Sequence, residues 1–335
     1  MSATIISDPK KHYPVLLDQI KSKVPPLSSG TLIDCTFGNG GYTEEFLKNT
    51  NLKVIALDRD QETQEIAKKF KEKYKNRFEY YNLCFSELDK LEIKNHKIVG
   101  VLFDLGYSQI QINNKYKGLS FNSDGELNMQ MGLNKFSAKD AVEKLDQNQL
   151  EKIFKFLGED KDGKKISKQI VKLRNSKKID TKELVRIVDA CKPMKKKIHK
   201  ATKIFQSLRI FVNKEITELV NGLIKSTEIL EKNGFILVVS FHSIEDKIVK
   251  YFFNDLSKDQ TVSRYLPNKD QKEKIFQLLN KKPIIPSPEE VKKNPASRSS
   301  KLRIAVKIKD TKIFKTTIKE KFKYLTDIED FSENL

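Results

Sequence analysis

Residues 31–47 read TLIDCTFGNGGYTEEFL. An apolar run of strand length ends at Asp34, turns through Gly38, Gly40 and Gly41, and restarts with helical character at Thr43–Lys48. A glycine turn between the first strand and first helix of a parallel sheet lies at the carboxyl edge, where such sheets bind ligands. The next seventy residues fit that sheet. Apolar runs at Lys53–Leu57, Arg77–Leu83 and Lys97–Phe103 alternate with a helical pattern at Gln61–Lys73. Strands alternating with helices imply βαβ units. FILVVSF at 235–241 reads as a fully buried strand, HSIEDKIVKYFF as the helix after it, and Leu302–Ile308 as a late strand.

The turn departs from two known phosphate cradles. Gly38 and Gly40 fit G-x-G-x-x-G, but Thr43 stands where the third glycine belongs, and there is no G-x-x-x-x-G-K-[ST] loop. A glycine turn with no ligand is the plain alternative, because glycine serves tight turns generally. The acids sharpen the reading. Asp34, Asp58 and Asp104 each end an apolar run on the same expected edge. Singly, each reads equally well as a turn former. Together they would repel a pyrophosphate and suit a ligand carrying a ribose, an ammonium and a sulfonium, which is S-adenosylmethionine.

Between the two halves of the sheet pattern the chain changes character. NNKYKGLSFNSDGELNMQM, from residue 113, reads as a long loop, and residues 137–200 read as entirely helical. Asp146 and Asp180 precede helical runs as caps would, with Glu183 completing a capping box, and Gly158 reads as a helix stop. Lys195, Lys196, Lys197 and Lys200 close the block. Ile204, Leu208, Phe211, Val212, Ile216, Leu219 and Leu223 then recur at helical spacing, with Gly234 expected as a left-handed cap. The expected architecture is an α/β sheet domain of residues 1–115 and 201–335, interrupted at 116–200 by a loop and helical insertion that is expected to recognise the substrate.

Composition bounds the function. The chain has 335 residues, a formal net charge of +19, 33% charged residues and 38% apolar ones. Genome bias can exchange Arg for Lys, but it does not create an excess of base over acid, so a polyanion is the expected partner. No apolar run approaches the roughly 18 residues of a membrane span, and the opening residues show no secretory pattern. The three cysteines, Cys35, Cys84 and Cys191, are scattered and match no metal-ligand spacing, which argues for a reducing compartment, most simply the cytoplasm.

Six motifs in order carry a resemblance: His12-Tyr-Pro-Val-Leu-Leu17, Asp34-Cys-Thr-Phe-Gly-Asn-Gly-Gly41, Asp104-Leu-Gly106, Phe205-Gln-Ser-Leu-Arg-Ile210 with Val212-Asn213, Ser240-Phe-His-Ser-Ile-Glu-Asp246, and Asn294-Pro-Ala-Ser-Arg-Ser-Ser-Lys-Leu-Arg303. From about His12 to Ile304 the chain resembles the bacterial ribosomal RNA small-subunit methyltransferase H (MraW) family. The resemblance implies a Rossmann-like S-adenosylmethionine-dependent methyltransferase with a helical insertion, acting on N4 of a decoding-region cytosine in 16S rRNA, often as a homodimer. It implies that Gly38, Gly40, Gly41 and Tyr42 line the cofactor, that Asp58 holds its ribose, that Phe85 flanks the adenine, and that Asp104 and Gln111 complete the pocket. Phe85, in YYNLCFSEL, reads equally well as core.

Asp104 is expected to orient the reacting groups, with His242 and Ser240 close by; His242 reads equally as a strand-end hydrogen bonder. No metal is required by methyl transfer to an amine. Arg209, Lys247, Arg298, Lys301 and Arg303 are the candidates for RNA contact, each against the plain reading of an ordinary surface or packing cation. Departures from the family pattern are Tyr42 and Thr43, Gln109, Lys117 with Leu119, and Asn128 and Gln130, which replace an Asp and an Arg. Two rivals stand beside this reading. A nicotinamide oxidoreductase would want the missing third glycine, and a non-catalytic RNA-binding or assembly factor could share the fold.

Overall fold

The computed structural model describes residues 14–26, 29–108, 111–112, 114–121, 125–193, 199–258 and 273–334. His12, Tyr13, Gln109, Lys195, Lys196 and Lys197 lie outside the described residues. The chain forms two compact units: residues 1–83, 90–106 and 226–314, and residues 84–89, 107–225 and 315–335. Residues 201–225 and 315–335 therefore group with the helical segment.

The first unit is built on a seven-stranded sheet. Its strands are β1 (Thr31–Asp34), β2 (Lys53–Leu57), β3 (Phe78–Tyr81), β4 (Ile98–Asp104), β5 (Phe235–Ser240), β6 (Phe276–Leu278) and β7 (Lys301–Lys307), in the order β3-β2-β1-β4-β5-β7-β6. The five strands from β3 to β5 pair in parallel. Parallel strands covered on both faces need continuous apolar runs rather than alternation, and every residue of β1 and β5 is buried. Each large aliphatic side chain so buried contributes about 1.5–3 kcal/mol. β7 runs antiparallel to β5, and β6 antiparallel to β7. The helix Gly41–Asn49 follows β1, Gln64–Tyr74 follows β2 after a 3-10 turn, and Ser243–Leu256 follows β5. Phe37, Phe70, Phe78 and Tyr80 pack ring to ring beneath the glycine turn. No helix among the described residues is long and apolar enough to cross a membrane.

The second unit is helical. Ser137 and Asp146 open Ala138–Lys144 and Gln147–Lys152 with reciprocal capping boxes, and Asp180 caps Thr181–Cys191. Glu183 gives its carboxylate to Lys177 and Arg186 rather than closing a box. The run past Lys152 continues as a π-helix, Ile153–Leu157, which ends at Gly158 as expected, and the residue behind it, Glu159, is left-handed (φ 48°). Thr202–Asn213 and Glu215–Ile229 are two helices, because Lys214 takes a left-handed conformation (φ 49°). The expected left-handed cap at Gly234 falls one residue earlier, on Asn233 (φ 67°), whose N–H donates to Lys307 O across 2.7 Å.

The two replaced loop residues have structural work. Asn128 Oδ1 accepts from Gln130 N, and Gln130 Nε2 donates to Asn134 O and Phe136 O, so the loop is folded on its own amides. Asn213, fully buried, donates to Met129 O and accepts from Met131 N and Asn134 Nδ2, tying that loop to the helix Thr202–Asn213.

Candidate active site

The glycine turn is held from three sides. Asp58 Oδ2 accepts from Gly38 N at 2.8 Å, and its Oδ1 accepts from Asp60 N at 2.8 Å. Gly38 and Gly40 take positive φ of 50° and 74°. A Cβ on Gly40 would lie 2.5 Å from the Phe70 ring, and one on Gly41 would lie 2.7 Å from Pro14. The protein's own packing therefore demands these two glycines before any ligand does. Thr43, in the place of a dinucleotide fold's third glycine, donates its hydroxyl to Asp34 Oδ2 at 2.7 Å. Thr36 donates its N–H to Asp34 Oδ1 and accepts Asp104 N on its hydroxyl at 2.7 Å. The ends of β1, β2 and β4 are thus tied around one turn.

The three acids differ in what they have left to offer. Asp34 is 1% exposed, and both of its oxygens are engaged by the turn. Burial pushes its carboxyl up to about 6, against the pull of the Thr43 and Thr36 donors. Asp58 is likewise pushed up to about 6 by burial, opposed by the N–H groups of Asp60 and Gly38. The register sets Asp34 beside Leu102, so Asp104 projects further along the neighbouring strand. Its Oδ1 is buried with no hydrogen-bond partner. Burial pushes this carboxyl up to about 8, and the charges of Asp34 and Glu245 push the same way. Asn39 Oδ1, between the two left-handed glycines, is a second buried acceptor without a partner.

Buried polar atoms are nearly always paired, so two orphan acceptors at one strand edge call for donors from outside the chain. The residues present fit a ligand with hydroxyls, an ammonium or a sulfonium. A pyrophosphate fits poorly, since the charges acting on Asp58 and Asp104 are those of other acids.

The other expected site residues divide between the two units. Tyr42 is 4% exposed, and its hydroxyl donates to Val15 O, so only its backbone faces the turn. Phe85 begins a 3-10 stretch (Phe85–Lys90) in the second unit. Gln111, buried in that unit, accepts Ser108 N on its Oε1. Ser240, 2% exposed, points its hydroxyl at Lys301 O, 3.4 Å away on β7. His242 caps the helix Ser243–Leu256: Nδ1 accepts from Glu245 N, Nε2 lies 3.0 Å from Glu245 Oε1, and Glu245 Oε2 accepts the N–H groups of Phe241 and His242. Nδ1 makes the helix cap, while Nε2, close as it lies to Glu245 Oε1, is buried without a hydrogen bond.

Of the five candidate RNA cations, two are buried in ion pairs. Arg209 is 8% exposed, forks onto Glu215 at 2.7 and 2.9 Å, and lies 4.9 Å over the Tyr107 ring. Arg303, 7% exposed, donates to Asp246, which also holds Lys301 at 3.2 Å. Lys247 and Arg298 stand exposed. A guanidinium's fate depends on whether a carboxylate faces it, which spacing along the chain does not reveal. Thr36, Asn39 and Glu245 were missed as site formers; the position of Asn39 between two left-handed glycines was the available signal.

A parallel sheet with an antiparallel last pair, a glycine turn after β1, and acids ending β2 and β4 define a Rossmann-like methyltransferase. The chain belongs to the MraW methylase family, whose model matches residues 9–308. Among its relatives, the ribosomal RNA small subunit methyltransferase H of Orientia tsutsugamushi (strain Boryong) is 39% identical over 308 residues, covering 89% of this chain and 99% of the relative. The protein of the same name from Bartonella bacilliformis is 39% identical over 301 residues, covering 89% and 90%. A solved rRNA methylase from Streptococcus thermophilus covers 87% of this chain and 93% of its own at 11% identity, with a TM-score of 0.34.

Proposed function

We propose that this methylase takes its methyl group from S-adenosylmethionine and delivers it to N4 of a cytosine in the decoding region of small-subunit rRNA, in the cytoplasm. The observation that carries the reading is the unpartnered buried carboxylate of Asp104 at the end of β4. Family membership, the relatives' names and the +19 net charge support the substrate class. The choice of N4 and of the decoding region follows from the resemblance of the motifs. Pairing of two copies follows from the same resemblance, and sedimentation at working concentration checks it.

The exocyclic amine of cytosine is a weak nucleophile, its lone pair being drawn into the ring. When bound, the donor supplies a methyl group already activated by its sulfonium. The protein's task is then alignment, which by itself supplies a large part of such a barrier. Asp58 accepts ribose hydroxyls on lone pairs left beside the Gly38 and Asp60 amides. The Gly38–Gly41 turn allows close backbone approach. Asp104 Oδ1 would accept an amine hydrogen, orienting the nitrogen lone pair, and would take up the proton that the nitrogen sheds. A carboxyl poised near 8 is suited to that exchange at neutral pH. The target base has to leave its stack to reach the sheet edge.

Mass spectrometry of small-subunit rRNA nucleosides, with and without this protein, tests the proposal. N4-methylcytidine present only with the protein is expected. No new methylated nucleoside, or a methyl on ribose or a ring carbon, would overturn it.

A further inference from the structure

In the second unit, a surface groove of about 540 Å³ is lined by Lys155, Phe156, Lys161, Lys164 and Tyr324, with Glu151, Glu159 and Asp160. Two large aromatic side chains meet there in solvent. Phe156 is 37% exposed and Tyr324 54%, with ring centroids 6.1 Å apart at 76°. Phe156 faces outward from the π-helix Ile153–Leu157, while Ile153, Phe154 and Leu157 are fully buried. π-helical turns recur at functional sites because they redirect a side chain within a helix. Tyr324 comes from the helix Ile318–Glu329, beyond the residues the family model matches. That helix is anchored: buried Glu329 accepts Ile216 N, Thr217 N and the Thr217 hydroxyl, and Lys214 pairs with Asp330 and Glu333.

Three lysines and three acids line the groove, and Lys192, just outside it, pairs with one of those acids. Lys155 Nζ sits 5.2 Å over the Phe156 ring. Lys164 opens the helix GKKISKQIVKLR (Gly163–Arg174), which carries five bases and no acid. Cations in a first helical turn oppose the helix dipole; both the dipole and Lys164 favour an anion from outside. Asp160 is already neutralised by Lys192 in a buried ion pair. Glu151 and Glu159 are the groove's other acids, so with Lys192 counted the cations outnumber the acids by one. Exposed aromatic faces among lysines are what an unpaired nucleotide recognises: the base stacks and the phosphate meets the cations.

We propose that the Phe156–Tyr324 groove is a second RNA subsite, stacking an unpaired nucleotide of the substrate RNA while Lys155, Lys161 and Lys164 hold its phosphates. The subsite rests on the proposed RNA-methylating function. It takes one face from the helical insertion and one from a C-terminal helix outside the family match.

Fluorescence anisotropy with a short labelled single-stranded RNA tests it on the full chain. Phe156→Ala with Tyr324→Ala should weaken binding about fivefold to a hundredfold, the range of a lost stacked base. Phe156→Tyr with Tyr324→Phe should bind as the unmodified chain does, and a duplex of the same sequence should not distinguish the variants. Ultraviolet cross-linking of the unmodified protein should attach RNA to the peptides containing Phe156 or Tyr324, a readout that does not depend on how the alanine variant folds. Unchanged affinity in a folded alanine variant, or cross-links only elsewhere, overturns the subsite. Methyl transfer is read separately: an unmodified chain that methylates no small-subunit rRNA defeats the functional reading, while the affinity and cross-link results still decide the groove.

Discussion

Asp34 and Asp104 are the same residue type at the same kind of place, the last position of a parallel strand, and the fold treats them in opposite ways. Asp34 ends β1 and has both oxygens filled by Thr36 and Thr43. Asp104 ends β4, reaches further along the edge, and has a buried oxygen with nothing to accept from. The difference teaches where scaffold stops and site begins. A satisfied acid builds the turn; an unsatisfied one waits for a donor from outside.

Asp104→Asn should break the comparison hardest. The single-turnover methyl-transfer rate should fall by about two to three orders of magnitude, the range for losing one positioned polar group at a reacting centre. Thermal unfolding should show no loss of stability. The sign comes from the raised carboxyl: the folded state holds its proton up to about pH 8, so the acid's contribution declines as pH climbs from its unfolded value to there. An asparagine escapes that decline. Full turnover in the variant would make Asp104 another scaffold acid.

Asp34→Ala should do the reverse. Removing the acceptor of the Thr36 amide and Thr43 hydroxyl should cost about 1–3 kcal/mol of folding stability per group left unsatisfied. Denaturant unfolding reads the loss, and a variant as stable as the parent would show that the turn does not depend on it.

A smaller effect separates Asp104 from Asp58. With its carboxyl near 8, Asp104 must shed a proton before it can accept the amine hydrogen. The single-turnover rate at saturating donor should therefore rise by about tenfold per pH unit on the approach to 8. Asp58 meets the ribose, so its titration enters donor affinity and not that rate. A rate that stays flat over this range would remove the amine from Asp104.

Smallest of all, Tyr42→Phe should cost about 0.5–1.5 kcal/mol of stability, one buried hydrogen bond to Val15 O. Donor affinity should stay unchanged. A large drop in that affinity would bring the Tyr42 side chain back into the site.

Much of this was legible along the chain. Parallel strands buried on both faces leave unbroken apolar runs, so β1, β2, β4 and β5 stood out, and the acids ending three of them marked the edge. The three-residue β6 carries too little pattern to be seen, and nothing in Leu302–Ile308 announces that it runs antiparallel. The helical stripe from Ile204 to Leu223 stayed in phase across Lys214, which hid the break, because one left-handed residue barely disturbs a hydrophobic period. Local chemistry predicted the caps at Asp146 and Asp180, since both partners lie within one turn.

The sequence by itself determined the sheet class, the glycine turn, the acids at strand ends and the basic balance, all of which rest on neighbours a few residues apart or on simple counting. Only the tertiary structure decided which acid was spent on the turn, which arginines were spent on carboxylates, and that Phe156 and Tyr324 meet in one groove. The physical reason is range. Periodicity and capping act within a helical turn, whereas pairing and burial depend on contacts between residues far apart in the chain, such as Arg303 with Asp246 and Glu329 with Thr217.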